Sequence, residues 1–177
     1  MINETDYGRA LFELAREQKT EAVILSEIQA VREILEKEAD YVQLLDSPSL
    51  PKDQRLGLLQ EAFGTLSLYH LNFLKILCEK HAVKQYAACG SVYGALYDQA
   101  HRILRATAIT AVAMTDRQRT ALTAKLQTMT DKTVVLKNTV DPHVLGGVTL
   151  RLDGQQLDSS IRSRLDDLRQ SLAGVIV

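Results

Sequence analysis

Hydrophobic spacing changes period once along this chain, and that change restricts the folds open to it. Up to about Ile103, apolar residues recur at helical intervals; beyond it they alternate at the interval of a strand. Tyr7, Ala10, Leu11, Leu14 and Ala15 share one face of a first helix. Ile24, Ile28, Val31 and Leu35 share a face of a second, where Glu33 and Lys37 form a favourable i,i+4 pair. A short third segment, Asp40 to Leu45, stops at Asp46-Ser47-Pro48, because the residue before a proline is kept out of the helical region. Pro51 opens a fourth helix to about Phe63, with Gly64 as its C-cap. Ser67 caps a fifth, carrying Leu71, Leu74, Leu77 and Cys78 on one stripe with Phe73 and Ile76 beside it. A sixth helix spans about Lys84 to Ile103. The expectation is a mainly α protein whose residues 1–105 form a six-helix bundle.

Residues 106–177 read as a small α+β domain. Leu104 to Ala113 is rich in Ala and Thr and reads as a strand. Thr115-Asp116-Arg117-Gln118 is a capping box opening a helix to about Thr130. Val134, Leu136 and Val140, then Val148, Leu150 and Leu152, alternate with polar residues as strands do. Asp153-Gly154 is a hairpin signal, followed by a short strand from Gln155 to Leu157. Asp158 can cap a last helix with Ile161, Leu165, Leu168 and Leu172 on one stripe.

Little in the chain suits catalysis. With 46% hydrophobic and 24% charged residues the balance is that of a soluble globular protein, and a net charge of −1 provides no field for nucleic acid or an anionic membrane. Cys78 and Cys89 form no metal-ligand spacing with the four histidines and read as reduced, partly buried thiols. Gly146-Gly147 is followed by Val148, Thr149 and Leu150, with no P-loop lysine, and no strand–GxGxxG–helix pattern occurs. His143 with Asp141 and Ser159 or Ser160 could be drawn as a hydrolase triad, but no nucleophile elbow accompanies them. Asp141-Pro142 suits a turn, and the serines suit a first helical turn. His70, His81 and His101 fall within helices, and Tyr86, Tyr93 and Tyr97 recur at near-helical spacing as core aromatics. No cofactor, metal or membrane span is expected, nor any basic leader or transit segment. What remains are helix faces and turns suited to binding other proteins.

Laid out this way, the sequence resembles the delta subunit of the bacterial F-type ATP synthase, a family shared with the mitochondrial oligomycin-sensitivity-conferring protein. Tyr7-Gly8-Arg9-Ala10-Leu11-Phe12-Glu13-Leu14-Ala15 is similar to the family's YARALFELA, with Gly8 in place of the usual Ala. Leu45-Asp46-Ser47-Pro48-Ser49-Leu50-Pro51 fits its proline break, and Leu71-Asn72-Phe73-Leu74 its fifth helix; Glu79 to Lys84 departs from the family's ENGR-like segment. The most specific run is Asp141-Pro142, Gly146-Gly147, Leu150-Arg151, Asp158 and Ser160-Ile161-Arg162-Ser163-Arg164-Leu165, in the family's order. Asp153 and Gly154 are exchanged relative to the family's Gly-Asp.

The resemblance implies a non-catalytic stator subunit, joining the catalytic head to the peripheral stalk so that proton- or sodium-driven rotation is coupled to ATP synthesis. Its helical domain, 1–105, would bind N-terminal segments of the alpha subunits in a groove between the first and fifth helices. Tyr7, Arg9, Ala10, Leu11, Leu14, Leu71, Phe73 and Leu74 carry that part of the match. Its second domain, 106–177, would bind the C-terminal ends of the b subunits, with each interface of roughly 1,600 Å² or more. Gly146 and Gly147 then permit backbone angles closed to other residues, Asp158 caps the last helix, and Arg151, Arg162 and Arg164 form either a solvated face or partner contacts. The expected location is the cytoplasmic side of a bacterial membrane, held there peripherally. A helical adaptor outside ATP synthase is the alternative; a hydrolase built on His143 is a third.

Overall fold

The computed structural model describes residues 3–143 and 147–152 in full, and 155–158 as backbone. The chain divides into two compact units, Met1–Ala100 and His101–Val177.

The first unit contains α1 (Glu4–Glu17), α2 (Glu21–Lys37), α3 (Ala39–Asp46), α4 (Lys52–Phe63), α5 (Leu68–Glu79) and α6 (Tyr86–Ala100), with one 3-10 turn, Val83–Gln85, before the last. In α1 the Asn3 side chain accepts from the N–H of Thr5, and Glu4 and Asp6 sit at the positive helix end. The inward face of α1 is rotated from the one read off the spacing. Gly8, Leu11, Phe12 and Ala15 are buried; Tyr7 and Leu14 are half-buried, and Ala10 is exposed. The reason lies at Gly8. A Cβ placed there would lie 2.6 Å from the carbonyl oxygen of Cys89 and 2.9 Å from Cβ of Val92, so the missing side chain is what lets α1 press on α6. Phe12 then meets Tyr93 edge-to-face at 5.5 Å.

Helix ends differ from expectation in three places. Gly64 is the C-cap of α4 but has φ −63°, so no left-handed angle requires glycine there. The left-handed positions are instead Lys19 and His81, just past α1 and α5. Beyond each, an N–H reaches back five residues, Thr20 to Ala15 and Ala82 to Leu77. The third is α6, which stops at Ala100, not Ile103. Arg102 is left-handed, its carbonyl accepts from Thr133 N–H at 2.8 Å, and Ile103 is drawn into a strand.

The second unit runs β1 (Ile103–Thr110), α7 (Asp116–Thr130), β2 (Thr133–Val140), β3 (Val148–Leu152) and β4 (Gln155–Asp158). The sheet order is β2-β1-β3-β4; β1 and β2 are parallel across the α7 connection, and the other pairs are antiparallel. The capping box forms: Gln118 N–H donates to Thr115 Oγ1 at 3.3 Å, and Thr115 N–H to Gln118 Oε1 at 2.9 Å. Leu104, Ala106, Leu126 and Val134 make a core between sheet and helix. The first strand ends three residues sooner than expected. Asp141 N–H takes the Thr110 carbonyl, and Met114 N–H donates to Asn138 Oδ1, so residues 111–114 leave the sheet. Leu152 stands opposite Gln155, which leaves the two-residue connection expected at Asp153-Gly154. Those two residues, and the last helix read beyond Asp158, lie outside the described residues.

Candidate docking surfaces

With Leu11, Phe12 and Ala15 committed to the core, α1 keeps an apolar edge of Tyr7, Ala10 and Leu14 at i, i+3, i+7. Tyr7 leans on the core; Leu14 is half-buried without belonging to it. The helix α5 shows a comparable split. Leu71, Phe73 and Leu74 are buried with His70, Leu77 and Cys78, so they hold α5 in place and do not face solvent. Its outward side carries Leu68, 66% exposed, and Ile76, 45% exposed, with Asn72 between. The start of α1 and the end of α5 border a depression of about 520 Å³, with Asn3, Asp6 and Tyr7 on one side and Lys80, His81 and Ala82 on the other. Arg9 is exposed on α1.

Glu27, His70 and Arg55 hold these helices, and sequence reasoning singled out neither Glu27 nor Arg55. Glu27 accepts from the N–H of Ser67 at 2.8 Å and from its hydroxyl at 2.7 Å, so Ser67 stands at the start of α5 without giving it a side-chain cap. The other partner of Glu27 is His70, whose Nδ1–H donates to it at 3.0 Å. That leaves His70 Nε2 to accept from the Tyr86 hydroxyl at 2.8 Å. The set resembles a catalytic carboxylate–imidazole–hydroxyl relay, but His70 is fully buried and Tyr86 is 2% exposed, so nothing can reach the hydroxyl. Burial pushes the imidazolium of His70 below its ordinary range, against the opposing pull of Glu27, and raises the phenol of Tyr86.

Arg55 is the third. It is buried, and no carboxylate among the described residues pairs with it. Its Nη1 donates instead to the carbonyls of Leu45 at 3.1 Å and Cys78 at 2.7 Å, near the ends of α3 and α5. Two negative helix ends therefore take the place of a counter-ion. His81 completes the cluster, its Nδ1–H donating to Asp46 O at 3.0 Å while Nε2 lies 3.4 Å from Arg55 Nη2. Both cysteines are free and buried, and burial raises both thiols.

In the second unit, Asp141 and Pro142 form a turn in which Asp141 Oδ1 accepts from the backbone N–H of His143 at 2.9 Å. Asp141 thus takes the turn role read from the sequence, and Ser159 and Ser160, the serines of the alternative triad, lie outside the described residues. Gly147 has φ 85°, the left-handed angle expected of the glycine pair. Exposed Arg151 stands between Thr107 and Gln156 across the sheet, and Asp158 closes β4 opposite Thr149. Gly146, Ser160, Arg162, Arg164 and Leu165 lie outside the described residues. A depression of about 580 Å³ opens between the 111–114 segment, α7 and the start of β3, lined by Val112, Met114, Leu122, Lys125 and Val148. Asn138 braces its rim: its Nδ2 donates to Ala108 O at 3.0 Å and Thr110 Oγ1 at 2.9 Å, and its Oδ1 holds Met114.

Among the described residues no three His, Cys, Asp or Glu side chains converge as metal ligands, and no helix is long and apolar enough to cross a membrane. Apolar edges and braced grooves, with a relay-like set sealed in the core of the first unit, are features of a protein that presents surfaces to partners. The family profile described as ATP synthase delta (OSCP) subunit matches residues 4–172. The chain belongs to that family, a non-catalytic component of the F-type ATP synthase. It is 30% identical over 172 residues to ATP synthase subunit delta of Clostridioides difficile (strain 630), covering 96% of this chain and 95% of that one. It is 31% identical over 170 residues to the delta subunit of Rhizorhabdus wittichii, covering 95% and 92%. Its fold matches a chain of the cryo-EM structure of the Toxoplasma gondii mitochondrial ATP synthase hexamer with TM-score 0.75, at 21% identity and 98% coverage of both.

Proposed function

We propose that this protein is the stator link of its ATP synthase. Residues 1–105 act as a six-helix bundle that holds N-terminal segments of the alpha subunits. Residues 106–177 act as an α+β domain that holds the C-terminal ends of the b subunits at the cytoplasmic face of a bacterial membrane. The observation that carries this reading is the edge of α1. Tyr7, Ala10 and Leu14 keep helical spacing yet are not buried in the core, while α5 holds Leu68 and Ile76 in water. An amphipathic helix laid between them would cover both rows, as helix-in-groove recognition requires. The apolar depression at Val112 and Leu122 is the corresponding surface for b. Neither surface needs a reactive group, and the coupling ion, proton or sodium, does not enter.

The test is capture from native membranes with the full chain, Ile76→Arg and Val112→Arg as tagged baits. The expected result is alpha and b with the wild type, b alone with Ile76→Arg, and alpha alone with Val112→Arg. Wild-type bait that brings down neither subunit would end the stator reading. Variants that retain both would move the interfaces elsewhere on the surface.

A further inference from the structure

We propose that the first unit carries a binding site for a small aliphatic carboxylate, its chain lodged between α2, α3 and α6 and its carboxylate on Lys84. The hollow there measures about 270 Å³. That is room for roughly nine non-hydrogen atoms, at about 30 Å³ for each water-sized group. Leu35, Val42, Val83, Ala87 and Tyr86 form its walls. These walls are firm. Leu35, Val83 and Tyr86 are buried on their far sides, and the Tyr86 hydroxyl is tied to His70, so the ring cannot swing in to fill the space. An alkyl chain laid against these walls displaces water from apolar surface with gain.

Charge at the rim selects the head group. Arg32 and Glu36 line the same hollow and satisfy one another, Nε to Oε1 at 2.6 Å. The ammonium of Lys84 has no carboxylate partner among the described residues. Of the two cations that line the hollow, Lys84 is therefore the one left to meet an anion. An alkylammonium would face repulsion at this rim, and an alkanol would gain burial alone. The site shares no lining residue with the α1 edge or the Val112 depression, and it stands whether or not those surfaces hold alpha and b.

The experiment titrates octanoate, octanol and octylamine into the isotope-labelled full chain and follows backbone amide resonances. Octanoate should give saturable shifts centred on Leu35, Val42, Val83 and Ala87. Octanol should bind about fivefold more weakly, the factor one partly exposed ion pair supplies, and octylamine more weakly still. Lys84→Gln should bring octanoate down to the level of octanol. Ala39→Phe, which fills the hollow from an exposed position, should abolish binding. Both variants change exposed residues, and unchanged melting temperatures will verify that they fold. Octanol binding as tightly as octanoate, shifts that survive Ala39→Phe, or no saturable shift at these amides would each overturn the proposal.

Discussion

His70 shows how one buried side chain makes stability depend on pH. An unfolded histidine gains its proton near pH 6.5, and in the fold burial moves that event lower, with Glu27 offsetting part of the shift. The unfolded state therefore binds more protons below the ordinary value. The contribution of neutral His70 is complete above about pH 6.5 and is lost as the pH falls through that value toward its own lower one. Melting temperature should drop between about pH 7.5 and 5.5 more steeply for the natural chain than for His70→Gln. Parallel curves would mean that carboxylates elsewhere carry the whole effect. Gly8 makes a second case at this scale. Helix propensity alone favours alanine there by about 1 kcal/mol. The structure reverses the sign, because the added carbon would meet the backbone carbonyl of Cys89, which cannot swing aside. Gly8→Ala should cost about 1–3 kcal/mol, read as a lower urea midpoint with an unchanged slope.

Among the elements, two features govern the edges of the second unit's apolar depression. Gly147→Val places a branched side chain at φ 85°, an angle that should cost about 1–3 kcal/mol. Asn138→Ala removes three hydrogen bonds between β2, the end of β1 and the 111–114 segment, for a loss of about 1–3 kcal/mol. Amide hydrogen exchange should quicken in β1 and β3 for the first and at Met114 for the second, with α1 to α6 unchanged. Elements governed by local grammar were legible in the sequence: the proline break before α4, the Thr115–Gln118 box, and the alternation in β2 and β3. Contacts made at long range were not. The inward face of α1 follows from a glycine meeting another helix eighty residues away, which spacing within α1 cannot encode. The hydroxyl of Ser67 looked like a cap because nothing nearby announces Glu27 as its partner. Nothing in the sequence marks Arg55, since a counter-charge made of two helix ends leaves no acidic residue to notice. The proposed docking edge of α1 lies within the Tyr7–Ala15 motif, but its split from the core face is set by α6, which the motif does not contain.

For the whole molecule, two separate cores imply two separable transitions. The first is built from α1 to α6, the second from Leu104, Ala106, Leu126 and Val134. In calorimetry, Gly8→Ala should lower one transition and Asn138→Ala the other; a single transition displaced equally by both would show that the units melt as one. The passage from one unit to the next is only His101 and Arg102, and the strand it enters is an inner one, with β2 on one side and β3 on the other. Tension arriving along the backbone at Ile103 pulls β1 lengthwise against a parallel neighbour, registered from Ile103 opposite Thr133 to Thr110 opposite Val140. Under that direction of load the cross-strand bonds are strained side by side and must fail together, where a hairpin pulled from its open end would yield one rung at a time. The strand order thus makes the entry to the second unit resist any pull that acts along β1.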